Sequence, residues 1–135
     1  MRKLPDMVAM VSLDSTGERT QSRFIGQFKI KRLLTHGDRF QLERIYASLL
    51  PPRDREINEE ERLKAAAIAE LSVRVIEGPP WWEGSKSGQL MVDAQPLYDL
   101  ALLCSEEEKK WAKQLEDSAK TEDSNAIPVP KPTES

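Results

Sequence analysis

Arg23-Phe-Ile-Gly-Gln-Phe-Lys-Ile-Lys-Arg-Leu33, followed by Thr35-His-Gly-Asp38, holds the change of periodicity on which the fold class turns. Phe24, Gly26, Phe28, Ile30 and Arg32 share one parity, and Lys29 and Lys31 take the other. Side chains alternate across a strand, so this spacing predicts a strand with one apolar face. Gly26 marks either a bulge or a close contact. From Thr35 the period lengthens. Thr35 has the hydroxyl of an N-cap, and Asp38 three residues on suits the positive end of a helix. Phe40, Ile45, Tyr46, Leu49 and Leu50 then fall on one helical stripe. Pro51-Pro52 ends it, because a proline disfavours helical backbone at the residue before it.

Upstream, Met7-Val-Ala-Met-Val-Ser-Leu13 is short, apolar and partly β-branched, which predicts a first strand. Asp14-Ser-Thr-Gly17 is turn chemistry, so the two strands are expected to pair as a hairpin. Downstream, residues 51–57 form a charged connector. Asn58 is a good N-cap, with Glu59, Glu60 and Glu61 in the first turn. The expected helix runs to Ile76 with Leu63, Ala67, Ile68, Leu71, Val75 and Ile76 as its apolar face, and Gly78-Pro79-Pro80 stops it. Trp81 to Gly88 reads as a loop. Asp93 is expected to cap a third helix that buries Leu97, Leu100, Ala101 and Cys104. Ser105 with Glu108 has capping-box spacing and predicts a fourth helix, with Trp111 and Leu115 as contacts.

These elements predict an α+β class, mostly helical. A single domain over residues 1–120 would pack an N-terminal β-hairpin on three to four helices. Residues 121–135 carry Pro128, Pro130 and Pro132 among polar and acidic residues, and are expected to be a flexible tail dispensable for folding.

Composition narrows the function classes. The chain has 135 residues, 39% hydrophobic and 32% charged, with a net charge of −3. An acidic chain is a poor general nucleic-acid binder, and no nucleic acid is expected as a partner. One cysteine and one histidine exclude an intrachain disulfide and a multi-histidine or cysteine-rich metal site. No apolar run reaches the length of a membrane span, and Met1-Arg2-Lys3 is not followed by the apolar stretch of a signal peptide. No cofactor is expected, because neither G-x-x-x-x-G-K-[ST] nor G-x-G-x-x-G occurs. Catalysis needs convergent groups, and none are visible. Cys104 lies in an apolar helical stretch, where cysteine is usually inert, His36 reads as a surface residue, and Glu59 to Glu61 read as a solvated first turn. The expectation is a protein that works by binding.

Two features could carry that binding. Trp81 and Trp82 would point opposite ways in an extended loop, one ring covering the core and the other facing a partner. Alternatively both fold over the small core as a lid. Lys29, Lys31 and Arg32 give either a solvated strand face or a docking patch for an acidic partner. The candidate partner-binding residues are therefore Trp81, Trp82, Lys29 and Lys31.

The order of these pieces resembles a phage tail assembly chaperone. Gly26-Gln-Phe-Lys-Ile-Lys-Arg-Leu-Leu-Thr35 looks like that group's opening strand entering its first helix, and Asp38-Arg-Phe40 with Arg44-Ile-Tyr-Ala-Ser-Leu-Leu50 fits the helix. Glu70-Leu-Ser-Val-Arg-Val75, Pro80-Trp-Trp82, Leu90 to Asp93, and Glu108 to Leu115 follow in the group's succession. The resemblance spans residues 23–115 and implies a small, mostly helical, non-enzymatic protein. Such a protein would act in the host cell cytoplasm, bind the tape measure protein, keep it soluble and recruit tail tube subunits. Homo-oligomerisation stays open. The alternative is a structural accessory protein of the phage particle, a head, neck or tail component whose hairpin adds to a neighbour's sheet.

Overall fold

The computed structural model describes residues 4–51 and 56–121. An N-terminal antiparallel hairpin pairs β1 (Val8–Thr16) with β2 (Arg23–Lys31), from Val8 opposite Lys31 to Thr16 opposite Arg23. The parity of the opening stretch holds: Phe28, Ile30 and Arg32 point inward and are buried with Val11 and Leu13 of β1. β1 runs three residues past Leu13, so the turn falls after Thr16 rather than at Asp14 to Gly17. The polar residues tolerate the strand because of where they point. Asp14 lies on the outer face and bonds Arg23 at 3.0 and 2.7 Å, while Ser15 turns inward and donates its hydroxyl to Asp99 at 2.6 Å.

Four helices follow, with one short strand between them. In α1 (His36–Leu49), Thr35 and Asp38 form a reciprocal capping box, each bond 3.0 Å long. No residue of α1 is buried, and Phe40 is 64% exposed, so the stripe expected on this helix is only partly covered. α2 (Glu59–Arg74) starts at the Asn58 cap, whose side chain accepts from the Glu61 N–H at 2.8 Å. It ends two residues earlier than expected. Val75 turns extended and begins β3 (Val75–Glu77), which pairs with β2 through Lys29–Glu77 and Ile30–Val75 across a register shift. The sheet order is β1-β2-β3.

The buried face of α2 also differs. Ala65, Ala67, Ala69, Leu71, Val73 and Arg74 are buried, whereas Leu63 is 52% exposed and Ile76 is exposed. α2 is packed between α1 and α4, so it is covered on two sides. Small alanine side chains let both neighbours approach, which a single stripe of large residues would prevent. After the one-turn α3 (Pro80–Glu83), a single α4 (Gln95–Thr121) of 27 residues replaces the two helices expected around Ser105. No glycine or proline interrupts it there, and Glu108 bonds Arg74 instead of returning to Ser105. The tail expected beyond Thr121 and residues 52–55 of the connector lie outside the described residues. Among the described residues, no helix is long and apolar enough to cross a membrane.

The hairpin turn and the start of α4 hold each other by an exchange of carboxylates. Asp93 does not cap its own helix. It accepts from the N–H groups of Arg19 at 2.7 Å and Thr20 at 2.9 Å, and from the Thr20 hydroxyl at 2.5 Å. The cap of α4 comes from Glu18, which accepts from the N–H groups of Ala94 and Gln95 at 2.9 to 3.0 Å. The Thr20 hydroxyl, then the turn's N–H groups, hold the Asp93 carboxyl below its usual range, and the Ala94 and Gln95 N–H groups do the same for Glu18. A depressed folded-state pKa gives stability that is present above the ordinary carboxyl range, about pH 4, and lost as pH falls through the depressed values. Thermal melts should therefore drop in temperature below about pH 4. The double variant Glu18→Gln, Asp93→Asn should be less stable at neutral pH and show a flatter acid limb.

Candidate partner-binding surface

Pro79 and Pro80 set the direction of the tryptophans, though not as an extended loop would. Pro80 occupies the first turn of α3, where its missing N–H costs no bond. Neighbouring residues on a helix diverge by about 100° rather than the 180° of a strand. Both rings consequently fold onto Phe28, at centroid distances of 5.6 Å each, and lie edge-to-face 6.4 Å from one another. Trp82 is 4% exposed and offers no area to a partner. Trp81 is half-buried, packs against Phe24 at 5.1 Å and donates its indole N–H to the Ile25 carbonyl at 3.0 Å. The lid alternative describes this pair, and the opposed projection does not.

Two glycines permit the arrangement. A Cβ at Gly78 would stand 2.8 Å from Trp82 and 2.9 Å from Phe28, and one at Gly26 would stand 2.5 Å from Pro79. Gly26 is thus the site of a close contact with Pro79.

Lys29 and Lys31 lie on the opposite, outer face of the sheet. Lys31 bonds Asp38 at 2.9 Å, which ties β2 to the start of α1 and holds the Asp38 carboxyl below its usual range. Lys29 sits opposite Met10 and Glu77 and has no ion pair among the described residues. The four candidates therefore do not share one patch: two are outer-face cations, one is core, and Trp81 closes the far edge of β2. The outer face has its own apolar residues, Val8, Met10 and Ile25, all exposed, with Met10 at 58%. In the sequence Val8 and Met10 have the parity opposite Val11 and Leu13, and Ile25 has the parity of Lys29.

Sequence reasoning missed the buried Arg74 and the ion-pair network around it. Arg74 is 4% exposed and every guanidinium nitrogen is engaged. Nε meets Glu70 at 3.0 Å, Nη1 donates to the carbonyls of Lys31 and Arg32 at 3.0 Å, and Nη2 meets Glu108. Burial opposes its charge, but the Glu108 and Glu70 carboxylates outweigh burial and raise its pKa. Arg32 reaches Gln114 at 3.0 Å and Glu107 at 3.4 Å. The available signal was spacing, since Arg74 follows Ala67 and Leu71 by seven and three residues on one helix face. A cleft of about 270 Å³ opens above this network, lined by Leu34, Arg39, Leu42, Glu70, Arg74, Ala101, Ser105 and Glu108. The Arg74 guanidinium in its lining is fully occupied by protein partners.

Cys104 is buried in the hydrophobic core, and burial pushes its thiol up to about 12, with the Arg74 charge opposing only in part. It is a neutral core residue. Among the described residues, no group of three or more histidine, cysteine, aspartate or glutamate side chains could hold a metal ion. Compared with family models, curated proteins and solved structures, the chain matches none.

Proposed function

We propose that this chain is a non-enzymatic phage tail assembly chaperone that binds the tape measure protein and assists assembly of the tail tube. The observation that carries the reading is the outer sheet face, which exposes Val8, Met10 and Ile25 and sets Lys29, without an ion pair among the described residues, beside Met10. A long helical client presents apolar stripes flanked by acids, and this face is complementary to both. The sequence resemblance over residues 23–115 supplies the identity of the client.

Co-expression with the tape measure chain of the same phage tests it. The wild type should keep that chain soluble and co-purify with it. The variant Met10→Glu, Ile25→Glu should stay folded, because both side chains are exposed, yet lose at least ~2 kcal/mol of binding if these are hot-spot residues. Mass spectrometry of purified particles should find the chain absent. Its presence at a fixed copy number would make it a structural component instead, and no association with the tape measure chain would end the chaperone reading.

A further inference from the structure

We propose that the free edge of β1 accepts an extended segment of a partner protein as an added strand. The edge site does not depend on the tail-assembly reading.

Two backbone bonds bracket the hairpin ladder: Arg32 N–H to Met7 C=O at 2.6 Å and Gly17 N–H to Ser22 C=O at 2.8 Å. Bonded residues alternate along an antiparallel pair, so the odd-numbered residues of β1 bond β2. Val8, Met10, Ser12, Asp14 and Thr16 turn their N–H and C=O groups the other way, and among the described residues no backbone group meets them. The other side of β2 is already taken. β3 pairs with Lys29, the Arg74 guanidinium takes the Lys31 carbonyl, and the Trp81 indole takes the Ile25 carbonyl. β1 has none of the usual guards: across nine residues it carries no lysine, no proline and no bulge. Its one charge, Asp14, is neutralised within the hairpin by Arg23.

The helix beneath β1 selects the occupant. Ser15 bonds Asp99 at 2.6 Å and Trp111 donates to the Pro5 carbonyl at 3.2 Å, so α4 runs along the inner side of this strand. A second copy pairing β1 to β1 would bring its own α4 beneath a strand only ~4.8 Å away, where packed helices need ~8–10 Å. An extended segment brings no helix. Its residues that bond the edge lie over the outer face beside Val8 and Met10, which calls for apolar side chains.

The probe is an acetylated nine-residue peptide with threonine at odd positions and valine and glutamate taking turns at even positions, valine for the apolar face and glutamate to keep the peptide soluble. Titrated into the full chain, it should bind below ~1 mM and slow amide exchange at Val8, Met10, Ser12, Asp14 and Thr16 while leaving Val11 and Leu13 unchanged. Ser12→Pro removes an outward donor and no hairpin bond, so it should melt near the wild type and weaken binding by at least about tenfold. If that variant fails to fold, the same peptide N-methylated at its bonding positions decides, and it should not bind the wild type. Binding that survives both changes, no binding up to ~1 mM, or a dimer in solution with these five amides already protected would overturn the proposal.

Discussion

Replacing Arg74 with methionine should destabilise the fold by about 3–5 kcal/mol, the usual cost of removing one partner from a buried charge network. The side chain joins three elements at once: Glu70 on its own helix, Glu108 on α4, and the carbonyls of Lys31 and Arg32 at the end of β2. Methionine fills a similar volume but leaves two carboxylates, each about a third exposed, and two carbonyls at the end of β2 without their donor. Against a total stability of ~5–15 kcal/mol, that loss is large enough to shift most of the population under mild denaturant. Urea unfolding of the full chain reads it directly. The triple variant Arg74→Met, Glu70→Leu, Glu108→Leu should recover part of the loss, since an apolar replacement of a whole buried cluster is often tolerated. A single variant as stable as the wild type would mean that water reaches this network freely.

The network also shows where local sequence signals stop being sufficient. The hairpin parity at Phe28, Ile30 and Arg32, the capping box at Thr35 and the cap at Asn58 were legible because each satisfies a demand of the backbone within four residues. Ser105 and Glu108 have the same local spacing, yet the helix runs through them because Arg74, 34 residues away, claims the Glu108 carboxylate. Asp93 likewise looked like a cap for its own helix, and its partners are 73 and 74 residues away in the hairpin turn. β3 was hidden inside an apolar helical pattern, since Val75 and Ile76 fit either period until β2 offers an edge. Of the candidate site, the outward parity of Lys29 and Lys31 was readable and the orientation of the tryptophans was not. That orientation turned on whether Pro80 opens a helix or continues an extended loop.

Trp82→Ala and Trp81→Ala should accordingly separate, although the two residues are adjacent. Trp82 is buried against Phe28, with Gly78 shaped around it, so its removal leaves a cavity beneath the lid that the backbone of Pro79 and Pro80 is too stiff to fill. Large-to-small changes of this kind cost ~3–5 kcal/mol. Trp81 is half-buried, and its removal forfeits three edge-to-face contacts and one bond to the Ile25 carbonyl, an acceptor at a strand edge that water can reach. The expected loss is about 1–2 kcal/mol. Paired melts of the two variants check the order. Trp81→Ala also bears on partner binding, because it should remain folded while its indole no longer closes the β2 edge. If the client docks on the outer face and at β1, Trp81→Ala should co-purify with the tape measure chain as the wild type does. A folded Trp81→Ala that loses the client would instead move the partner surface to the α3 end of the sheet, and an equal melting loss in both variants would mean that the two rings form one core unit.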